Sequence, residues 1–365
     1  MRKLNLKKLI AATLTVTLSM TMLIGCGGSK GSSGSDEKVL NLLVWEGYAD
    51  TSFTEQFEKE NGCKVNATYF TTSDDLAAKL KAGGGDTYDV ISPSGDMAGY
   101  LVQNGMVEEI DVTKLSNWND INDSVKLEDV EKDGKIYGVP YLWGPDYLVY
   151  DADVIKEEPT SWDIFWDPAY KGRISLYDDI SNIYMIGQME GLDAQDKTAI
   201  YNMSEEQLAD AKKKLSEINS SVRKYWVSAG ELNDLFANKE VDVAIGWPLT
   251  VKELNDQGRN LKWTIPKEGC TGWMDRLMIV KGAKHKDLAM KWMDWVTSPE
   301  GQALGAAATY YSVVNEKALD HMDKDLIEAT NADSLEEFFA KINFWQYVEN
   351  RDRYNEVWVE VKTAN

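Results

Sequence analysis

The sequence predicts an α/β chain of two domains, on three observations. Residues 39–94 alternate strand, helix, strand, helix, strand, an order that builds a parallel sheet covered by helices. Of the 365 residues, 43% are hydrophobic, and the roughly 330 that follow a leader and tether exceed one comfortable core. Strand after strand also ends in an aromatic or an acid: Trp45 with Tyr48, Asp179, Trp247, and Trp273 with Asp275. Ligands of open α/β sheets sit beyond the carboxyl ends of strands, so these ends are expected to share one cleft.

The leader comes first. Arg2, Lys3, Lys7 and Lys8 precede an apolar run from Leu9 to Ile24, shorter than the ~20 residues of a spanning helix. That is the layout of a secretory signal. Leu23-Ile24-Gly25-Cys26 resembles the bacterial lipoprotein cleavage box. On that resemblance residues 1–25 are removed, Cys26 carries the lipid, and the Gly/Ser-rich residues 26–37 are a flexible tether. An ordinary secreted protein with a spare cysteine is the alternative. Loss of the leader takes the net charge from −21 to −25, which disfavours nucleic acid and anionic ligands and favours cations.

Along the body, Val39 to Trp45 reads as a buried first strand, followed by a helix with Phe53 and Phe57 on one face. Lys64–Tyr69 is the second strand. Ser73 opens a helix carrying Leu76 and Leu80 that Gly83-Gly84-Gly85 stops. Tyr88 to Ser94 is the third strand. The segment from Tyr137 to Tyr150, bent by Gly and Pro, reads as the first crossing between domains. Ile174 to Asp179 is a strand with two acids at its exit. Ser204 and Gln207 stand in capping-box spacing for a helix to about Ile218, and Glu231–Lys239 is another. Val241 to Trp247 is a buried strand. The run 266–280 returns to the first domain, ahead of a helix over 287–296 whose Met290, Trp292, Met293 and Trp295 read as core.

Catalytic signals are sparse. His285 and His321 are the two histidines, neither in metal-ligand spacing. No G-x-S-x-G, P-loop or dinucleotide fingerprint stands in strand-turn-helix context. No metal, cofactor or enzymatic activity is therefore expected. Cys63 and Cys270 remain as free thiols or as a pair; sequence leaves both open. Residues i and i+2 of an extended strand face one side, so Trp273 and Asp275 should look into one space while Met274 and Arg276 look away. A π-face beside a carboxylate attracts an organic cation.

Taken in order, V-W-E-G-Y (44–48), Y-D-V-I-S-P-S (88–94), G-V-P-Y-L-W-G (138–144), I-G-W (245–247), P-K-E-G-x-x-x-W-M-D (266–275), T-S-P-E-G-Q (297–302) and A-x-x-x-Y-Y-S-V-V-N (306–315) resemble the spermidine/putrescine-binding proteins of ABC importers. The likeness covers essentially the whole mature chain. It implies a two-lobed periplasmic-binding-protein fold with a hinge and an interlobe cleft closing over a polyamine. Lobe one would be 38–143 with 274–320, and lobe two 144–273 with 321–365. It implies that Trp45, Tyr48, Ser94, Asp179, Trp247, Trp273, Asp275, Tyr311 and, through a less similar segment, Gln346 contact the ligand. Two departures join that set: Asp96 where the family commonly has an aromatic, and Asn182 where it commonly has a glutamate. The implied partners are a small cationic ligand and an ABC permease, reached by a lipid-anchored monomer outside the cytoplasm.

Two rivals stand beside this reading. One is the same fold holding a sugar, a quaternary amine or a zwitterionic amine. The other is a secreted glycoside hydrolase, with Asp179 and Asp275 as paired carboxylates on aromatic platforms.

Overall fold

Two sheets, joined by strands that pass from one to the other, organise this chain. The computed structural model describes residues 38–126 and 128–364; the leader, Cys26 and the tether lie outside the described residues. The first strand, β1 (Lys38–Val44), is β-prone and buried at its inner positions. Helix α1 (Thr51–Asn61) begins where the Asp50 carboxylate accepts the Ser52 N–H, buries Phe53 and Phe57, and ends at Gly62 in the left-handed region. It leads into β2 (Cys63–Tyr69), parallel to β1.

Helix α2 (Ser73–Thr87) differs from expectation at both ends. Thr72 rather than Ser73 caps it, accepting the Asp75 N–H at 3.1 Å, because the Ser73 hydroxyl is donated to Asp96 at 3.1 Å. The glycines kink the helix without stopping it: Gly84 takes φ 49° and ψ −150°, and the turns resume to Thr87. Then β3 (Val90–Ile91) adds to β1 in parallel, completing the expected strand-helix alternation, and α3 (Gly95–Gln103) follows.

Past a ribbon of β4 (Glu131–Lys132) and β5 (Lys135–Ile136), the chain enters β6 (Val139–Pro145), buried throughout. Asp146 alone separates it from β7 (Tyr147–Asp151). The second sheet is then built from β8 (Ile174–Tyr177), α4 (Ser181–Met189), α5 (Glu205–Ile218), β9 (Val222–Trp226), α6 (Ala229–Ala237), β10 (Val243–Gly246), α7 (Pro248–Asp256) and β11 (Leu261–Thr264). Its order is β11-β7-β10-β8-β9, with β10, β8 and β9 parallel and β7 antiparallel to both of its neighbours, β10 and β11. The capping box is present at α5: Ser204 and Gln207 each accept the other's backbone N–H.

The return strand β12 (Cys270–Ile279) is buried over all its residues and runs antiparallel to β6 and β3. After α8 (Lys286–Val296) and α9 (Pro299–Thr309) come β13 (Ser312–Val313), α10 (Lys324–Thr330), α11 (Leu335–Lys341), β14 (Ile342–Phe344) and α12 (Arg351–Thr363). The first sheet has the order β13-β6-β12-β3-β1-β2, with β14 against the start of β12. Trp292 and Met293 of α8 are core, whereas Met290 and Trp295 are half-buried. Segment 321–365 divides its contacts: α10 packs on α9, while α12 packs on α5. The described residues together form one compact unit. Cys63 and Cys270 are buried free thiols.

Candidate functional site

Asp275 lies in the interior of β12, and strand alternation sorts its neighbours. Trp273 and Asp275 line a common cavity. Arg276 is turned away and fully buried, bonded to Asp129 at 3.2 Å and to the Met274 carbonyl at 2.9 Å. The register against β6 slips between Met274 and Arg276, but the slip does not bring the guanidinium to the cavity.

Both oxygens of Asp275 accept from neutral hydroxyls. Ser94 Oγ donates to Oδ1 at 2.5 Å, and the Tyr48 phenol donates to Oδ2. Ser94 holds the N-cap position of α3 yet makes no side-chain cap bond there, its hydroxyl being committed to Asp275. Tyr48 arrives through a turn in which its N–H donates to the Trp45 carbonyl at 3.2 Å. Gly47 makes that turn at φ +88°, where a Cβ would meet Thr309 Cγ2 at 2.8 Å, so side chains are excluded. Asp275 is 1% exposed and has no ion-pair partner among the described residues. Burial pushes its carboxyl up to about 7, with Ser94, Tyr48, Arg276 and Trp45 holding it down.

A chain of edge-to-face rings surrounds it. Trp247 stands 5.7 Å from Trp273, Trp273 5.1 Å from Tyr311, and Tyr311 6.2 Å from Tyr48, between centroids. Trp226 and Tyr177 back Trp247 at 4.7 and 5.2 Å. Trp247 is presented where β10 ends and Pro248 opens α7. Tyr311 follows Tyr310, which leaves α9 at φ 58°. Of these rings Trp247, Trp273 and Tyr311, with Trp45, Trp345 and Asp275, line a cavity of about 40 Å³. The acids Glu46 and Asp275 line this space, and no lysine or arginine does among the described residues.

Other expected contact residues are placed elsewhere. Asp179 does not line the cavity. It accepts the Ser181 N–H at 2.8 Å at the start of α4, and burial pushes its carboxyl to about 7 despite the nearby Arg351 guanidinium. Asn182, expected to face the ligand, spends its amide on the carbonyls of Tyr177 at 2.6 Å and Asp179 at 2.7 Å, clamping the turn before α4. Asp96, expected to present a charge, is 1% exposed and bonded by Ser73 and, at 2.5 Å, by Arg351. Gln346 is half-buried and is not a wall residue; its neighbour Trp345 is. Asp179 and Asn182 are held by local backbone geometry and Asp96 by a distant ion pair, neither of which short motifs encode.

Sequence reasoning missed Arg351 and Asp146. Arg351 of α12 reaches Asp74 of α2 at 3.1 Å as well as Asp96 of α3, joining the layer over the second sheet to the layer over the first. The Tyr177 phenol, donating to the Thr71 carbonyl, makes a second such link. Asp146, between β6 and β7, is 4% exposed and accepts from Thr271 Oγ1 at 2.7 Å. An acid directly after a buried strand was the available signal.

The family model for bacterial extracellular solute-binding proteins matches residues 52–334. The chain belongs to this family. Among its curated relatives, the spermidine/putrescine-binding periplasmic protein of Salmonella typhimurium is 26% identical over 274 residues, covering 75% of this chain and 76% of the relative. The putrescine-binding periplasmic protein SpuD of Pseudomonas aeruginosa is 28% identical over 288 residues, 74% and 76% of the two chains. A putative spermidine/putrescine ABC transporter structure from Listeria monocytogenes superposes with a TM-score of 0.79 at 25% identity, over 90% of this chain and 100% of that one. The two-lobed α/β fold of this solute-binding family is thus the fold seen here. Its relatives are transport proteins rather than enzymes and act outside the cytoplasm. No helix among the described residues is long and apolar enough to cross a membrane.

Proposed function

We propose that this solute-binding protein captures an aliphatic amine of the polyamine class and delivers it to an ABC permease. One observation carries the reading: Asp275 is a buried carboxylate with no ion-pair partner among the described residues, and Trp45, Trp247, Trp273 and Tyr311 line the same cavity. An ammonium there would gain a charge-assisted hydrogen bond of roughly 1.5–3 kcal/mol. The rings would add about 0.5–2 kcal/mol each through cation–π attraction and sheathe the methylenes. A few such contacts, less desolvation and ordering, reach the ~8 kcal/mol of a micromolar ligand. The names of the curated relatives support the same class.

A ligand carboxylate is disfavoured by the cavity's acidic lining. The two buried guanidiniums nearby, Arg276 and Arg351, are held by Asp129 and by Asp74 with Asp96. The lobes, 38–143 with 274–320 and 144–273 with 321–365, would open to admit the ligand and close on it. Closure is favoured only in so far as the ligand binds the closed state better. Tyr177 on Thr71 and Arg351 on Asp96 would then fasten the closed form. Lipidation at Cys26 would keep the monomer beside its permease. A calorimetric screen of putrescine, spermidine, choline, γ-aminobutyrate and glucose tests the reading. Micromolar binding of a polyamine alone supports it, and binding of the sugar or amino acid alone overturns it.

A further inference from the structure

Behind the cavity wall, at the junction of β6 and β7, stands one more buried carboxylate. Asp146 is buried and has no ion-pair partner among the described residues. Its Oδ2 is taken by Thr271, and its Oδ1 has no partner. Two walls of the cavity, Trp247 and Trp345, also have unpartnered indole N–H groups. Register sets both beside Asp146: Gly246, before Trp247, pairs with Tyr147, and Asp146 and Trp345 donate their N–H groups to the adjacent carbonyls of Thr271 and Gly272. A buried orphan oxygen and two orphan donors behind one cavity wall mark a place built for a polar guest.

The acid that family resemblance nominates, Asp179, is in a different position. Burial raises its pKa, and the Arg351 guanidinium, held nearby on Asp96 and Asp74, opposes that rise. This chain has therefore placed a cation of its own at that end. Burial pushes the Tyr311 phenol up, and the charges of Asp275, Glu46 and Asp146 add to that rise.

Resting on the polyamine reading, we propose that the second ammonium of a diamine is bound by Asp146, not Asp179, so that the ligand spans from Asp275 past Tyr311 and Trp247 to the junction of β6 and β7. Lobe opening would move the indoles of Trp247 and Trp345 aside for ligand entry.

The test is calorimetry at pH 8 with putrescine and with butylamine, which has one ammonium, on the wild-type chain and on Asp146→Asn, Asp179→Asn and Asp275→Asn. The Asn side chain keeps an acceptor for Thr271; Asp146→Thr serves as a second variant if melting shows misfolding. Asp146→Asn should lose at least tenfold in putrescine affinity and stay within about twofold for butylamine, while Asp179→Asn changes putrescine less than threefold. Unchanged putrescine binding by Asp146→Asn overturns the inference. So does an equal loss for both amines, which would mean that Asp146 merely props the indoles. If Asp275→Asn has no effect either, or the wild type binds no amine, it is the polyamine reading itself that fails.

Discussion

Ser94 and Asp275, 181 positions apart in the chain, are joined by a 2.5 Å hydrogen bond and an isolated antiparallel bridge. The hydroxyl that should cap α3 holds the carboxylate instead. That exchange ties the end of the parallel β1–β3 unit to the return strand β12 and fixes the acid's direction before any ligand arrives. Preorganisation of this kind lowers the ordering cost of binding.

Asp275→Asn should weaken putrescine binding by at least tenfold with little change in melting temperature. The amide keeps the shape and one acceptor but removes the charge that an ammonium needs. Titration calorimetry paired with a thermal melt separates the two effects.

Tyr48→Phe should show a pH signature. The phenol's bond to Oδ2 helps hold Asp275 down to about 7, so its loss raises that pKa further. Putrescine affinity should then fall several-fold at pH 7 and recover largely by pH 9. A loss equal at both pH values would contradict this role.

Asp146, Asp179 and Asp275 are each pushed by burial from the ordinary 3.8 up to about 7. Between those values the folded state binds more protons than the unfolded chain, so stability falls as pH rises from about 4 to 7 and levels off above. Glu108, held at about 2 by the Gly282 N–H and two lysines, works oppositely but only at lower pH. Ligand-free protein should melt higher at pH 5 than at pH 8. Cation binding should show the reverse trend, weakening up to about tenfold per pH unit below 7 for each carboxyl that must ionise. Calorimetric melts and titrations across pH 5–9 check both slopes.

Arg351→Ala would leave Asp96 buried without its countercharge. Breaking such a pair costs about 3–5 kcal/mol, read as a lower denaturant midpoint. The double variant Asp96→Asn with Arg351→Gln should recover more than half of that loss.

Local rules made much of this architecture legible. The strand-helix alternation over 39–94, the capping box at Ser204 and the shared face of Trp273 and Asp275 all follow from periodicities of a few residues. What sequence concealed depends on partners far along the chain. Asp96 looked like a free cleft acid because nothing near it announces Arg351, 255 positions away. Asn182 sits where a ligand residue belongs, but its short amide reaches backbone carbonyls first. Thr72 displaced Ser73 as a cap because Ser73 had a better offer from Asp96.

The acid-lined space around Asp275 divides electrostatics into two jobs. The chain's net charge of −21 acts through solvent and fades within about 8 Å at physiological ionic strength. The buried carboxylate works where counterions do not reach. Salt should therefore slow the arrival of the amine far more than it hastens its escape, so a brackish environment would cost this protein speed rather than grip.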